Sequence, residues 1–319
     1  MKHLIIINPK AGKVEESTTL LQEVNDAFKG LDFEIHQSQG PREVIDFLPK
    51  YCEQNKNDTV RVYACGGDGT IHEVANGLAN CKNAELAIYP IGTGNDFVKI
   101  YAKTEDYDEI VKNKVGAKRF LSFKDLINAK ASPIDLSEVT GETLEKPWYS
   151  INVVNYGFDA IVGAKGNENK LKGRKNPYGF TQAILPAILH GRFNKIEVYA
   201  DGEKMNEKKL LLSSVSQGQW VGGEYHASPK SNNSDGLLDV IVVKTMGFIP
   251  MMAKFFGAYQ HGTHLDNPKL AKKVFYKQAK EVDIVAPEEI DICIDGEIVK
   301  GKQFKLKSLP GAIKLVIPE

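Results

Sequence analysis

Three short glycine-bearing segments carry residue types suited to phosphate chemistry. Gly66-Gly67-Asp68-Gly69-Thr70 directly follows the apolar run Val60–Ala64 and opens a helical pattern. Successive glycines let a backbone approach an anion closely, and a helix N-terminus offers it unpaired N–H groups. Asp68, in the middle of this turn, does not attract phosphate by charge. A carboxylate there makes sense if a Mg²⁺ ion lies between it and the phosphate oxygens. The plainer alternative is a tight strand–helix turn that Asp68 caps. Pro90-Ile91-Gly92-Thr93-Gly94-Asn95-Asp96-Phe97 lies just beyond a second strand-like run, and Asn8-Pro9-Lys10-Ala11-Gly12 just beyond a third. Open α/β sheets bind ligands outside the carboxyl ends of their strands, so three such loops predict one polyphosphate site.

The elements that must position these loops are legible as periodic patterns. Leu4–Ile7 is a continuous apolar run, as expected of a strand buried on both faces. Leu20, Leu21, Val24, Ala27 and Phe28 recur at helical spacing, with Gly30 as a stop. Phe33–His36 reads as a strand. Val44, Ile45, Leu48 and Cys52 read as a helix with a kink at Pro49. Val60–Ala64, a helix over Thr70–Asn80 and the strand Leu86–Tyr89 complete an alternation that predicts a parallel sheet covered on both faces. After Ile127 the pattern changes to short strand-like runs: Tyr149–Val154, Lys195–Tyr199, Leu210–Ser214, Leu238–Val243, Glu281–Val285, Ile290–Ile294 and Ile313–Ile317. Turn signals such as Asp201-Gly202, Asp235-Gly236 and Asp295-Gly296 punctuate them, which predicts antiparallel pairing. The expected organisation is an α/β domain over 1–128, a β-rich domain over 129–319 and a cleft between them. In the second domain, Asp295-Gly296-Glu297 closes a strand at a hairpin-type turn. It either aims a carboxylate into that cleft or is an ordinary hairpin.

Bulk properties narrow the function classes. The 319 residues are 42% apolar and 26% charged, ordinary globular values that suit two domains. Forty-one basic residues balance forty-one acidic ones, so overall charge gives a nucleic-acid partner no support. Cys52, Cys65, Cys81 and Cys293 form no C-x-x-C pair and no metal-type spacing. They read as reduced, buried thiols of a cytoplasmic protein. No apolar run is long enough to span a bilayer, and no signal-peptide cleavage site follows Met1.

In this order the segments resemble the diacylglycerol kinase catalytic family, and within it the soluble bacterial lipid-kinase branch. The likeness is carried by Asn8-Pro9…Gly12, by Gly66–Thr70 with Glu73, and by Gly92-Thr93…Asn95-Asp96-Phe97. It continues through Gly222-Gly223…Pro229…Asp235-Gly236…Asp239 to Asp295-Gly296-Glu297, covering nearly the whole chain. The glycine-rich aspartate motif is shared with NAD kinases and phosphofructokinases; the Asn95-Asp96-Phe97 and Asp295-Gly296-Glu297 elements tilt the likeness toward lipid kinases. The resemblance implies an NAD-kinase/phosphofructokinase-like parallel sheet followed by an antiparallel β sandwich. It implies ATP contacts from Asn8, Pro9, Lys10, Ala11, Gly12, Ser38, Gly66, Gly67, Asp68, Gly69, Thr70, Glu73, Thr93 and Asn95. Asp68 would serve the catalytic Mg²⁺ and Asp96 would be an essential carboxylate. Glu297, with Asp295 nearby, would accept the proton of the substrate hydroxyl. A structural metal loop would involve Asp235, the carbonyl of Leu237 and Asn232, where relatives can carry an acidic ligand. A homodimer is also what relatives suggest.

The implied activity is transfer of the γ-phosphoryl group of ATP to a lipid hydroxyl, with diacylglycerol the default acceptor and phosphatidic acid the product. Two alternatives stay open: a kinase for a soluble acceptor such as NAD, and a nucleotide- or lipid-binding regulator without catalysis. A lipid acceptor requires contact with the inner face of a membrane. One candidate is the basic cluster Lys165, Lys170, Lys172, Arg174 and Lys175 ahead of the apolar stretch Tyr178–Phe193. The other is Phe248-Ile249-Pro250-Met251-Met252-Ala253-Lys254-Phe255-Phe256, whose composition equally suits a core helix.

Overall fold

The computed structural model describes residues 1–8, 14–161, 193–207 and 209–319. Contacts divide the chain into two compact units: Met1–Leu136 together with Pro310–Glu319, and Ser137–Leu309.

The first unit begins β1 (Lys2–Ile7), α1 (Val14–Ala27), β2 (Phe33–Gln37), α2 (Glu43–Gln54), β3 (Val60–Gly66), α3 (Asp68–Leu78), β4 (Ala84–Pro90). The strands lie in the order β2-β1-β3-β4, all parallel. Every residue of β3 is buried, which is why the strand reads as an uninterrupted apolar run apart from Arg61. α2 runs on through Pro49 to Gln54. Phe28 of the segment after α1 meets Tyr63 edge-on at 4.9 Å, and Tyr89 stacks on Phe123 at 4.1 Å. These rings fix helices against the sheet by area and by edge–face complementarity. Arg61 crosses from β3 to its in-register neighbour Glu85, Nη2 to Oε2 at 2.8 Å, and its Nη1 donates to the carbonyls of Leu126 and Ile127.

The second unit is antiparallel. It comprises the later part of β5 (Ala131–Gly141), then β6 (Trp148–Ser150), β7 (Val153–Gly157), β8 (Glu197–Ala200) and β9 (Glu203–Lys204). β10 (Leu210–Ser216), β11 (Leu238–Lys244), β12 (Val274–Ala279), β13 (Glu281–Ile294) and most of β14 (Glu297–Val316) follow. The order is β12-β11-β10-β7-β13-β14, with β8 and β9 added beside β13. β11 is buried on both faces. Val240 and Val242 join Val198, Ile284 and Leu306 in one cluster, while Ile241 and Val243 join Phe158, Met251, Phe255 and Tyr259 in the other.

Three expectations are corrected. The run Tyr149–Val154 is two strands, β6 and β7, separated at Ile151-Asn152. Glu281–Val285 and Ile290–Ile294 are one strand with an irregularity between them. The chain end over 310–319, placed by the sequence in the second domain, belongs to the first unit, where Leu315 pairs in parallel with Leu86 of β4. An alternating apolar run looks the same in either sheet, and its partner lies far back in the chain. The basic and apolar segment over 165–192 lies outside the described residues.

Arg61→Met leaves Glu85 without its partner and two carbonyls without a donor. The expected loss is about 3 kcal/mol of unfolding free energy in a urea titration. A loss under about 1 kcal/mol would show that this buried network is not holding β3 to β4 and the 123–128 helix.

Candidate functional site

Parallel register brings the strand ends of the first unit to one edge. Ile7 pairs with Gln37 and with Cys65, and Gly66 with Pro90. Asn8, Ser38, Gly66–Thr70 and Gly92–Asp96 therefore follow strands that all end on the same side. The Ser38 N–H donates to the Ile7 carbonyl at 3.0 Å. Pro9, Lys10, Ala11 and Gly12 lie outside the described residues. The two glycine loops touch backbone to backbone: a Cβ on Gly92 would fall 2.4 Å from the Gly67 Cα. No side chain fits at Gly92, so glycine there is a packing requirement, while a Cβ on Gly67 would press on the Gly92 Cα at 3.2 Å. The Ile91 N–H donates to the Gly66 carbonyl at 3.0 Å and ties the loops further. Gly67 caps α3 with extended backbone and no side-chain hydrogen bond, which leaves the first turn of the helix to offer N–H groups to an anion. Thr70 is buried, whereas Gly69 and Thr93 are exposed at the rim.

Asp68 and Asp96 meet across this junction. Asp68 Oδ1 accepts the Asp96 N–H at 2.6 Å, with the Phe97 N–H at 3.5 Å. The direction a Cβ would take from Gly94 ends 2.9 Å from Asp68 Oδ2 and 3.7 Å from Asp96 Oδ2, so both carboxylates border one small space. Burial, and after it the charge of Asp96, push the Asp68 carboxyl up to about 6. Two acidic groups crowding one space fit a divalent cation, because Mg²⁺ in phosphoryl-transfer sites takes one or two carboxylates and fills its shell with phosphate and water. Asn95 adopts a left-handed backbone (φ 50°) and donates its amide to the carbonyls of Pro90 and Gly92, which holds the turn that delivers Asp96. Glu73 accepts the Arg42 N–H at 3.0 Å, a contact that joins α3 to the start of α2.

Two residues near the site escape a motif reading. Lys99 is buried and its Nζ lies 2.5 Å from Asp96 Oδ1. The i, i+3 spacing of Asp96 and Lys99 on a 3₁₀ turn over Phe97–Tyr101 was the available signal. Lys114, exposed, sends its Nζ to 3.5 Å from the Thr93 carbonyl.

In the second unit, Asp295 and Glu297 divide the work of one turn. Asp295 and Gly296 both have positive φ (49° and 102°) between paired Ile294 and Glu297, the backbone that a two-residue hairpin demands. Asp295 Oδ1 accepts the Ser150 hydroxyl at 2.6 Å, the Asn152 N–H at 3.1 Å and the Val153 N–H at 2.9 Å. Oδ2 accepts the Ile151 N–H at 2.9 Å. Its oxygens are spent on the loop between β6 and β7, so Asp295 is a positioning residue. The Glu297 side chain is exposed, and its carboxylate makes no hydrogen bond or ion pair among the described residues.

The loop expected to hold a structural metal is crossed by local hydrogen bonds. Asp235 Oδ1 accepts the Leu237 N–H and Oδ2 the Gln278 amide, both at 3.0 Å. Asn232 Oδ1 accepts from the N–H and hydroxyl of Ser234. Asp239, buried nearby, accepts the Tyr276 hydroxyl at 2.6 Å. Among the described residues no three His, Cys, Asp or Glu side chains converge to hold a metal ion. In the stretch 248–260, Met251, Phe255 and Tyr259 are core residues, and only Phe248, Ile249 and Met252 keep large apolar side chains exposed. Among the described residues no helix is long and apolar enough to cross a membrane.

Comparison with known proteins agrees with this arrangement. Residues 2–139 match the family model of the diacylglycerol kinase catalytic domain, and residues 152–317 that of the YegS C-terminal NAD kinase beta sandwich-like domain. The "Probable lipid kinase YegS" of Escherichia coli O127:H6 is 25% identical across 99% of this chain and 95% of its own length. The "Probable lipid kinase YegS-like" protein of Cronobacter sakazakii is 27% identical across 81% of this chain and 78% of its own. A crystal structure described as a diacylglycerol kinase from Bacillus anthracis aligns with a TM-score of 0.68 at 23% identity, covering 99% of this chain and 96% of that one. At that identity it speaks for the fold.

Gly92→Ala drives a methyl into the Gly67 backbone and should cost about 2 kcal/mol of stability by chemical denaturation. An unchanged midpoint would mean the loops separate freely. Asp295→Ala strips acceptors from three backbone N–H groups and should cost about 3 kcal/mol. Glu297→Ala, at an exposed position, should stay within about 0.5 kcal/mol of the parent. Equal effects of the two would contradict the division of roles.

Proposed function

Since the chain belongs to the lipid kinase family built from a diacylglycerol kinase catalytic domain and a YegS-type C-terminal domain, we propose that its reaction is transfer of the γ-phosphoryl group of ATP to diacylglycerol, giving phosphatidic acid. The observation that carries the phosphoryl-transfer part is the pair of carboxylates, Asp68 and Asp96, facing one space beside the Gly67–Gly92 contact. The N–H groups at the start of α3 and the 91–95 loop hold the polyphosphate. Asp68 and Asp96 would hold Mg²⁺, which when bound neutralises charge on the transferring phosphoryl group. Lys99 keeps Asp96 in place by its buried ion pair. The acceptor oxygen attacks the γ-phosphorus, the bond to the β–γ bridging oxygen breaks, and ADP leaves. Glu297 takes the acceptor's hydroxyl proton, a role for which its free carboxylate on a rigid turn is suited. Diacylglycerol as acceptor rests on the family of the catalytic domain.

The bilayer contact is assigned to the first turn of the 248–260 stretch. Phe248, Ile249 and Met252 are exposed there, and no acidic residue occurs from Lys244 to Gln260. Co-sedimentation with anionic vesicles at low salt should retain the protein, and its absence would remove that assignment.

Incubation with labelled ATP, Mg²⁺ and mixed lipid vesicles, followed by extraction and mass analysis, should give labelled phosphatidic acid. Chelating the metal should abolish product, and Asp68→Asn or Glu297→Gln should lower kcat about a hundredfold or more with stability unchanged. Label on NAD in a parallel arm, with none in lipid, would replace the proposal by a soluble acceptor. Binding of ATP with no product on any acceptor would favour a non-catalytic regulator.

A further inference from the structure

Lys99 touches one particular oxygen of Asp96. Its Nζ lies 2.5 Å from Asp96 Oδ1, and the two side chains are only 4% and 12% exposed. The lysine is set firmly. It sits in the 3₁₀ turn Phe97–Tyr101, and its N–H donates to the Asp96 carbonyl at 3.3 Å. On the other side the backbone at Gly116 approaches so closely that a Cβ there would lie 3.0 Å from the Lys99 Cα and 2.8 Å from the Val98 carbonyl oxygen. Drawing a carboxylate off a buried ammonium is costly, because water is not there to take its place.

The two carboxylates of the junction are thereby divided in the same way. Asp68 Oδ1 accepts the Asp96 N–H at 2.6 Å, and Asp96 Oδ1 accepts from Lys99. In both, Oδ2 is the oxygen that borders the shared space. The Cβ direction from Gly94 ends 2.9 Å from Asp68 Oδ2, and it ends 3.7 Å from Asp96 Oδ2 against 3.9 Å from its Cγ. Each aspartate presents one oxygen to that space while its other oxygen is engaged by the protein. Divalent cations differ in how they use a carboxylate. Mg²⁺ takes about six oxygens in a tight octahedron, several of them from water, whereas Ca²⁺ takes about six to eight and often grips a carboxylate by both oxygens. To be gripped by both, Asp96 would have to turn Oδ1 away from Lys99.

We propose that Lys99 is a specificity-determining residue: by engaging Asp96 Oδ1 it restricts Asp96 to one-oxygen ligation and so favours Mg²⁺ over Ca²⁺. The inference rests on the reading of Asp68 and Asp96 as the residues that hold the metal. It is separable from simple electrostatics. Both ions carry two positive charges, so loss of the lysine charge alters their attraction nearly equally. The ratio of the two affinities therefore reports the mode of ligation.

The test measures binding, with no acceptor and no turnover. Mg²⁺ or Ca²⁺ is titrated calorimetrically into the full-length protein saturated with the β,γ-methylene analogue of ATP, for wild type, Asp68→Asn and Lys99→Met. Wild type should prefer Mg²⁺ more strongly than the analogue alone does. In Lys99→Met the ratio of dissociation constants should move toward Ca²⁺ by about tenfold, the usual size of an effect from a group that orients a metal ligand. If Lys99→Met does not fold, Lys99→Gln carries the test: it is uncharged and one bond shorter, and the same direction of shift is expected. An unchanged ratio in a folded variant, even with lowered stability, would overturn the proposal and leave Lys99 a structural ion pair. A wild type that prefers Ca²⁺ would overturn it too. Metal uptake by wild type no stronger than by Asp68→Asn would instead remove the metal reading itself, and this proposal with it.

Discussion

Two backbones meet in the first unit, Gly67 against Gly92, where a methyl group on Gly92 would fall 2.4 Å from the Gly67 Cα. Much of the candidate site follows from it. It requires β3 and β4 to end in register and sets the turn after β4 against the start of α3. It also brings the Asp96 N–H onto Asp68. A phosphate-binding edge made of main-chain donors depends on such contacts, because donors without side chains are aimed only by how the strands end. The electrostatic tension of two neighbouring carboxylates is tolerated because Lys99 and the surrounding N–H groups offset part of it. It is the kind of local cost that binding sites carry and cores do not.

The second unit separates holding from reacting within three residues. Asp295 is saturated by the loop it anchors, whereas Glu297, on the next strand, remains unengaged among the described residues. A carboxylate that binds three backbone N–H groups fixes a turn firmly, and a firm turn is what a free carboxylate two positions on needs in order to point reproducibly. The self-closed loop around Asp235 shows a related economy. Its acidic and amide oxygens accept from donors two residues on, which shapes the turn.

Much of this was legible from sequence because buried parallel strands announce themselves. Leu4–Ile7, and Val60–Ala64 apart from Arg61, are apolar on both faces, and glycines follow where each ends. The glycine loops and Asp68, Asp96 and Glu297 could be picked out from type and spacing together with resemblance. What resisted reading was tertiary. The loop at Ile151-Asn152 breaks a strand pattern to face Asp295, whose carboxylate lies far along the chain. Lys99 looks like any lysine until its burial against Asp96 is seen. Arg61 interrupts an apolar run for the sake of Glu85 and two distant carbonyls. Each of these depends on a partner that local periodicity does not encode.

The return of the chain end to β4 also orders events during synthesis. Residues of β1 to β4 leave the ribosome early, yet the outer edge of β4 gains the partner at Leu315 only when almost all of the 319 residues have been made. Until then the nascent first unit carries an unpaired strand edge, the feature by which sheets recruit other chains. Translation of the second unit therefore sets how long that edge stays open. Slowing elongation after β4 would lengthen the interval in which a chaperone or a neighbouring nascent chain competes for it.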